Sequence, residues 1–368
     1  MSNYTLIQRF NARIVTPHID NKFWRLVEEG PKITNVEKII HEDQFDVFFP
    51  ELNISEIKKD NPAHYKFLCH ILTTYVYNLK NVTVEPQNGW VILNHFQLFK
   101  YSFPLVEDPW DGKKKRPSIF NYFIGKKTNI FLDEAISIRY AWQNYYHFFI
   151  DTLNQLFLLD KHKVPKHIPI IVPFFFPYIK FVQQFLDLSD FIDRKIIIQN
   201  PGEFYHIKNL TVCKDTFVSD GIFSVINSID YLRKCEKNQK LLIVRPITHG
   251  RAILNLEDIK RIAINHGFLL VDPSNMSLKE QIELFSGASE IIGIHGAGLT
   301  NIIFRSGHSL KLLEIFPSTD LTPWHYKNLS RKLNFNYDFI IGEGRQTNNN
   351  FNLSPTLFEN KILSFFDQ

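Results

Sequence analysis

Short apolar runs and amphipathic segments alternate along the second half of the chain. Four apolar runs predict strands, at residues 240–244, 268–271, 290–294 and 309–316. Helical spacing predicts helices at residues 256–266, 277–286 and 324–333, and a last helix from Ser354-Pro355 to Phe366. Ser277 and Glu280 have the spacing of a capping box. Strands that alternate with helices in this way predict βαβ units and a parallel sheet.

The first half of the chain has a weaker pattern. Residues 64–79 and 178–186 predict helices, residues 81–100 a β-hairpin around Gly89, and residues 168–172, 194–199 and 210–212 strands. The clearest element is an amphipathic helix over residues 141–160. Its apolar stripe consists of Trp142, Tyr146, Phe149, Leu153, Leu156 and Phe157, and its polar face of Gln143, His147, Asp151 and Asn154. We therefore expect an α/β chain with a domain boundary between residues 225 and 240.

Composition narrows the class of protein. The 368 residues carry 42 Lys and Arg against 38 Asp and Glu, and a net charge of +4 is too small to indicate a nucleic-acid-binding protein. Three cysteines do not make a disulfide framework, and none lies in a C-x-x-C pair that would suggest structural zinc. The first residues have no apolar signal region and no apolar run approaches the ~20 residues of a membrane span. We expect a cytoplasmic protein.

One segment, residues 110–127, is both basic and aromatic. Two interpretations are open. It is either a solvated surface loop, or a contact with anionic membrane headgroups or an anionic glycan, to which lysine and arginine supply charge and the aromatic rings an interface.

The most informative segment is IIGIHGAGLT, residues 291–300. His295 follows the apolar run and is expected at the carboxyl end of the sheet, where open α/β folds bind ligands. Gly296 and Gly298 permit a tight turn and close approach of a ligand, and the start of the following helix suits a phosphate. The alternative is a tight turn with no ligand, because glycine-rich motifs produce many false matches.

Three charged side chains are expected at the same edge. Glu314 ends the next predicted strand and is suited to accept hydrogen bonds from a ribose, unless it is a surface glutamate. Arg245 and Arg251 flank the loop after the first strand of this half, where paired guanidinium groups can hold a diphosphate. Either arginine alone could equally form a surface ion pair.

His147 and Asp151 form the second candidate site. Their spacing of four residues places them within reach on one helix face, where one group can orient the other as a general base. A histidine beside an apolar stripe is more often structural. We expect no metal site, because one such pair supplies two ligands and no third lies nearby in the sequence.

These residues resemble glycosyltransferase family 61. The matching pieces are residues 145–151, 245–255, 295–299, 314–317 and 324–326, in the family's order over residues 80–345. The chain departs from the family pattern at Val244, where serine is frequent, and at Pro246. The resemblance implies that the donor nucleotide is bound by Arg245, Arg251, Asn255, His295, Gly296, Ala297, Gly298, Leu299 and Glu314.

The resemblance also implies a fold and a reaction. It implies two Rossmann-like domains facing a cleft (GT-B-like), with residues 1–234 on the acceptor side, residues 235–345 binding the nucleotide sugar, and a helix within residues 346–368 that crosses back. The implied enzyme is an inverting hexosyl- or pentosyltransferase with Asp151 as base and His147 as its orienter or replacement. We expect no permanently bound cofactor, a nucleotide-diphosphate sugar, UDP-linked first, as donor, and a glycan or lipid-linked glycan as acceptor. Bacterial capsule or lipopolysaccharide synthesis is the implied setting, with peripheral contact at the inner membrane face.

Two other classes of protein remain open. Gly296 and Gly298 followed by Glu314 imitate part of the fingerprint of NAD-dependent oxidoreductases, although the full G-x-G-x-x-G spacing is absent. A non-catalytic carbohydrate-binding protein could retain the same fold. NAD binding would favour the first, and glycan binding without nucleotide release the second.

Overall fold

We describe the protein from a computed structural model. The described residues are 24–41, 54–60, 72–94, 96–102, 116–118, 127–138, 143–214, 219–246, 250–318, 323–344 and 347–367, with the single positions 45, 62, 65, 68, 69, 122, 123 and 248. Most of the basic, aromatic segment 110–127 lies outside these residues. Of the helices in these ranges, none has the length and apolar character needed to cross a membrane.

The secondary structure confirms a mixed α/β chain. The strands are β1 (Arg25–Val27), β2 (Ile33–Ile40), β3 (Thr73–Val84), β4 (Val91–Asn94), β5 (Gln97–Phe99), β6 (Thr128–Ser137), β7 (Ile170–Pro173), β8 (Ile196–Gln199), β9 (Glu203–Lys214), β10 (Gln239–Ile243), β11 (Leu269–Val271), β12 (Ala288–Ile294), β13 (Lys311–Phe316) and β14 (Asn336–Ile341). The helices are Ile54–Asp60, Tyr145–His147, Leu153–Lys161, Lys180–Leu188, Gly221–Asn227, Leu256–Asn265, Leu278–Ser286, His325–Lys332 and Pro355–Phe366, with a π-helical turn at Phe148–Thr152 and 3₁₀ helices that include Ala297–Arg305.

The chain folds into two compact units whose segments interleave along the sequence. Unit 1 comprises Met1–Trp142, Asn154–Ile179 and Ile192–Phe217, and unit 2 comprises Gln143–Leu153, Lys180–Phe191 and Val218–Gln368. This division differs from the linear boundary expected near residue 235, because two short segments from the first half of the chain join unit 2. One of them carries His147 and Asp151.

Unit 1 contains a mixed sheet. Within the described residues its nine strands follow the order β1-β5-β4-β3-β9-β6-β7-β8, and β2 also pairs with β3. Strands β9, β6, β7 and β8 are parallel neighbours, whereas β3 runs antiparallel to β2, β4 and β9. The predicted hairpin around Gly89 is confirmed as β3 and β4. The sheet is thus Rossmann-like only in its parallel part.

One sequence prediction in unit 1 is wrong. Residues 73–79 were assigned to a helix over residues 64–79, but they begin the long strand β3. Threonine, tyrosine and valine dominate this stretch, and β-branched and aromatic side chains favour a pleated, buried strand. Tyr75, Leu79 and Val82 pack in the core of the unit.

Unit 2 is built on a parallel sheet, as the alternating pattern predicted. Its five described strands follow the order β11-β10-β12-β13-β14, and all neighbours are parallel. Numbered from β10, this is the 2-1-3-4-5 order of doubly wound folds, whose chain changes direction between the first and third strands. The capping box predicted at Ser277 and Glu280 is present and starts helix Leu278–Ser286.

The last helix, Pro355–Phe366, starts at the Ser354 N-cap as predicted. The resemblance stated above implies that this helix crosses back to the first domain. The structure places it in unit 2, where Phe358, Ile362 and Phe366 join the core formed by the parallel sheet. Phe366 contacts Phe268 edge-to-face at 5.3 Å between ring centroids.

Candidate functional site

A pocket of about 360 Å³ lies at the carboxyl edge of the parallel sheet. It is bordered by the segments that follow β10, β11 and β12, and so includes the point where the strand order reverses. Open α/β sheets bind ligands at this position. The pocket is lined by Tyr145, Lys180, Phe181, Gln184, Ile243, Val244, Arg245, Pro246, Asp272, Pro273, Ser274, Met276, Gln281, Ile294, Gly296, Ala297 and Gly298. All of these residues belong to unit 2.

Arg245 and Arg251 converge on Gly296. A Cβ atom added at Gly296 would lie 2.7 Å from Nη1 of Arg245 and 3.7 Å from Nη2 of Arg251. The missing side chain therefore gives both guanidinium groups access to the turn after β12. Burial lowers the pKa of both arginines, and the charge of Arg251 lowers the pKa of Arg245 further. Two neighbouring cations in partly buried surroundings favour an anionic ligand.

His295 and Glu314 form a buried pair at the ends of β12 and β13. The Nδ1 atom of His295 lies 2.5 Å from Oε1 of Glu314, and Tyr337 donates from its hydroxyl to Oε2 at 2.7 Å. The Glu314 side chain is fully buried and both of its oxygens are engaged. The expected contact between Glu314 and a ribose therefore does not fit this structure, and the carboxyl group orients His295 instead.

The charge state of this pair follows from burial. Burial raises the pKa of Glu314 to about 8. Burial, with Arg251 and Arg245 nearby, lowers the pKa of His295 to about 3. The short contact alone would favour a charged pair, but desolvation and the two arginines act against a charged imidazole. We therefore take both groups as neutral near pH 7.

His147 and Asp151 are brought together as predicted. Nδ1 of His147 lies 2.5 Å from Oδ2 of Asp151, and both side chains are partly exposed, at 26% and 19%. The helix predicted through this stretch changes to a π-helical turn at Phe148–Thr152, a feature that is frequent at functional sites. Asn154, predicted on the same polar face, is fully buried.

His325 and Tyr326 are site residues that the sequence analysis did not single out. The ring of His325 stacks on His295 at 6.0 Å and contacts Tyr146 at 5.2 Å between centroids. Burial lowers the pKa of His325 to about 4, with further lowering by His295 and His147. Tyr326 donates from its hydroxyl to the carbonyl of Gly296 at 2.7 Å. The only signal in the sequence was the family-like segment 324–326, to which no role had been given.

Two predicted donor-binding residues have structural roles here. The side-chain amide of Asn255 donates to the carbonyl of Leu353 at 2.8 Å and accepts from its N–H at 3.0 Å. Leu299 is fully buried, and a Cβ atom at Gly293 would lie 2.7 Å from it, so Leu299 packs onto β12. Ala297 and Gly298 do line the pocket.

The described ranges contain no group of three or more His, Cys, Asp or Glu side chains suited to hold a metal ion. Lys180 and Arg245 line the pocket, and the guanidinium group of Arg251 lies beside Gly296, which is also part of the lining. An anionic ligand such as a phosphate is the type of molecule that these groups would hold.

Comparison with known protein families gives a match. No curated protein matches the chain significantly. The family model described as Glycosyltransferase 61 matches residues 145–310, which is just under half of the chain. The matched segment includes the His147–Asp151 pair, both arginines and His295, while Glu314 and His325 lie after it. Over residues 145–310 the chain is similar to glycosyltransferase family 61, and this similarity supports glycosyltransferase activity.

Proposed function

We propose that this protein is an inverting glycosyltransferase that moves a hexose or pentose from a nucleotide-diphosphate sugar to a hydroxyl group of a glycan or lipid-linked glycan. The convergence of Arg245 and Arg251 on Gly296 carries the proposal. The two guanidinium groups lie beside the pocket where the strand order reverses, and this position is suited to a nucleotide. UDP-sugars are the first donors to test.

The proposed reaction is a single displacement. The acceptor oxygen forms a bond to the anomeric carbon as the bond between that carbon and the diphosphate oxygen breaks. The bonding electrons leave with the nucleoside diphosphate, and the acceptor proton passes to a general base. Arg245 and Arg251 would stabilise the charge that develops on the leaving diphosphate, because fixed donors aimed at developing charge lower the barrier most effectively.

His147 and Asp151 would supply the general base. The resemblance to family 61 implies Asp151 as the base, with His147 as its orienter or replacement. Because the carboxylate of Asp151 lies against Nδ1 of His147, Nε2 is the ring nitrogen through which His147 would accept a proton. In such dyads the carboxylate orients the imidazole and stabilises its charged form. We therefore propose His147 as the base and Asp151 as the residue that orients it.

The wider setting of the reaction is part of the same proposal. The resemblance to family 61 supports two GT-B-like domains, a role in surface polysaccharide synthesis, and action at the cytoplasmic face of a membrane. The parallel order of the unit 2 sheet is compatible with a nucleotide-binding Rossmann-like domain. The proposed enzyme works without a permanently bound cofactor.

The oxidoreductase alternative loses its main support. It required Glu314 to bind ribose hydroxyls, as the acidic residue of dinucleotide sites does. In this structure both oxygens of Glu314 are engaged by His295 and Tyr337. A non-catalytic glycan-binding protein would not need two converging arginines beside a pocket.

Thermal denaturation with UDP, GDP, ADP, CDP, their sugars, NAD and NADP tests the proposal, because a ligand that binds only the native state raises the Tm. We expect one nucleoside diphosphate and its sugars to raise the Tm, and the matching sugar to release that diphosphate when acceptor is present. A rise with NAD alone would support the oxidoreductase, and glycan binding without nucleotide release the non-catalytic protein.

A further inference from the structure

The segment before the last helix runs beside the loop that carries the two arginines. Phe351 and Ile253 form a parallel bridge, and Leu254 donates from its N–H to the carbonyl of Phe351 at 2.7 Å. This segment, residues 348–353, contains a run of three asparagines at residues 348–350. We call it the asparagine clamp.

The clamp contacts the arginine loop directly. The carbonyl of Asn348 accepts a hydrogen bond from the N–H of Arg251 at 2.9 Å, and Oδ1 of Asn350 accepts from the N–H of Ala252 at 2.9 Å. A Cβ atom added at Gly250 would lie only 2.8 Å from the carbonyl oxygen of Asn348. The loop and the clamp are therefore closely fitted.

The arginine loop has a backbone conformation that needs such support. Arg251 has φ +56°, in the left-handed region that side chains other than asparagine and glycine seldom adopt. Asn348 and Asn349 have φ +60°, which asparagine tolerates better than most residues. The same loop holds the other arginine, because Arg245 donates from Nε to the carbonyl of Gly250 at 2.7 Å.

The other end of the clamp is anchored in the core. Phe351 and Leu353 are fully buried. The ring of Phe351 packs on Gly342, where an added Cβ would lie 2.0 Å from it. The side chain of Asn255 holds the backbone of Leu353 through both its donor and its acceptor. A core-anchored segment can therefore fix the loop.

We infer that the asparagine clamp is a positioning element of the donor site, which holds Arg245 and Arg251 so that their guanidinium groups converge on the diphosphate. Asn350 is its principal positioning residue, through the hydrogen bond to Ala252. The inference rests on the proposed function in one respect, that the ligand of the arginines is a nucleoside diphosphate.

The first test compares Asn350→Ala with Asn352→Ala by calorimetric titration of UDP and, in parallel, GDP, ADP and CDP. Asn352 is the matched control, because it lies exposed in the same segment and pairs with Glu343 through its backbone. Loss of one hydrogen bond should weaken diphosphate binding about five-fold in Asn350→Ala. Asn352→Ala should bind as the wild-type protein does. Equal affinity of the two variants would overturn the inference.

A double-mutant cycle separates positioning from general stability. Asn350→Ala is combined with Arg251→Ala, and the affinity for the same diphosphate is measured in all four proteins. If Asn350 acts through the two arginines, its effect becomes smaller in the Arg251→Ala background, where only Arg245 remains. If its effect is the same in both backgrounds, Asn350 has only a structural role and the inference fails.

A second variant covers the case in which Asn350→Ala does not fold. Gly250→Ala presses a methyl group against the carbonyl of Asn348 and should likewise weaken diphosphate binding, whereas unchanged binding would contradict the inference. The outcomes for the two proposals remain distinct. If Arg251→Ala binds the diphosphate more weakly but the clamp variants bind it normally, the inference about the clamp fails and the proposed donor site stands. If the wild-type protein binds none of the four diphosphates, both the proposed donor site and the inference about the clamp fail.

Discussion

His147 and Asp151 have separable roles in the proposed proton transfer. Replacing His147 with Ala removes the proposed base, and Asp151→Asn removes the charge that orients it. General bases contribute about 10²–10⁴-fold to rates, so we expect kcat for sugar transfer to fall at least about 100-fold in both variants, and further in His147→Ala. Donor affinity should be retained. Initial rates and nucleotide titrations of both variants measure these two quantities.

Gln143→Ala is the control for this pair, since Gln143 is exposed and lies just before helix Tyr145–His147. It should keep wild-type rates. A His147→Ala enzyme with normal kcat would remove this residue as the base. If kcat falls further in Asp151→Asn than in His147→Ala, Asp151 is the general base.

The buried Glu314 predicts a distinct pH dependence of stability. Its pKa rises on folding from 4.5 to about 8. The stabilisation of the folded protein by neutral Glu314 is therefore complete below pH 4.5 and is lost as the pH rises through 8. His295 and His325 act in the opposite sense, because their pKa values fall from 6.5 to about 3 and 4, and their contribution is complete above pH 6.5. Between pH 6.5 and 8 the effect of Glu314 should therefore dominate among these three groups.

We expect the free energy of unfolding to fall by about 1–2 kcal/mol between pH 6.5 and 8 in the wild-type protein. Glu314→Gln keeps a donor for His295 and an acceptor for Tyr337 but does not ionise, so it should remove this slope. Glu257→Gln, on an exposed side chain, should leave the slope unchanged. Denaturant unfolding at several pH values between 6.5 and 8 measures this slope. An unchanged slope in Glu314→Gln would mean that Glu314 is ionised over the whole of this pH range in the wild-type protein.

The sequence predicted which residues meet at the sheet edge better than it predicted what each one contacts. His295 and Arg245 follow parallel strands, and such strand ends share one edge. The partners of Glu314 and Asn255 lie far along the chain, with Tyr337 separated by 23 residues and Leu353 by 98. Spacing cannot reveal these pairs, so both residues were assigned to the ligand.

At the scale of elements, Arg305 links the end of the 3₁₀ helix Ala297–Arg305 to three other points of the chain. Its Nη1 donates to the carbonyls of Cys235 and Ser286, both at 2.7 Å, and its Nε donates to the carbonyl of Ser309 at 3.1 Å. The side chain is buried, and its removal would take this donor from the carbonyl of the fully buried Ser286.

We expect Arg305→Met to lower the free energy of unfolding by about 3 kcal/mol or more. Arg261→Met is the control, because Arg261 is 72% exposed and forms only a surface pair with Asp258, for which about 0–0.5 kcal/mol is expected. Urea denaturation of the two variants provides the measurement. Similar stabilities would show that these hydrogen bonds are replaced by water.

Element types were predictable where periodicity was regular. The strands and helices of unit 2 follow the alternating pattern closely, although β14 was missed. Two features depended on tertiary contacts. Strand β3 begins with Thr73–Tyr77, all of which are buried, and in such a stretch period alone does not separate helix from strand. The π-helical turn Phe148–Thr152 changes the hydrogen-bond register within a helix whose side-chain pattern remains nearly helical.

At the scale of the whole molecule, the interleaving of the two units was not predictable. A linear boundary follows from a change in pattern, but residues 143–153 and 180–191 join unit 2 through packing of aromatic side chains. Phe149 contacts Phe304 edge-to-face at 5.7 Å, and the hydroxyl of Tyr145 donates to Oδ1 of Asn301 at 2.7 Å. Such contacts between distant segments have no signature in hydrophobic spacing.

The division into two units predicts which residues a bound donor nucleotide protects from hydrogen exchange. Every residue that lines the pocket belongs to unit 2, although the lining comes from three separate segments of the chain. Binding of the nucleoside diphosphate found by thermal denaturation should slow amide hydrogen exchange in residues 143–153, 180–191, 243–255 and 294–299. The β3 and β9 amides of unit 1 should exchange as before and serve as the internal control. Exchange detected by mass spectrometry, with and without the nucleotide, measures this pattern. Protection centred on unit 1 would locate the nucleotide elsewhere and remove both arginines from the proposed reaction.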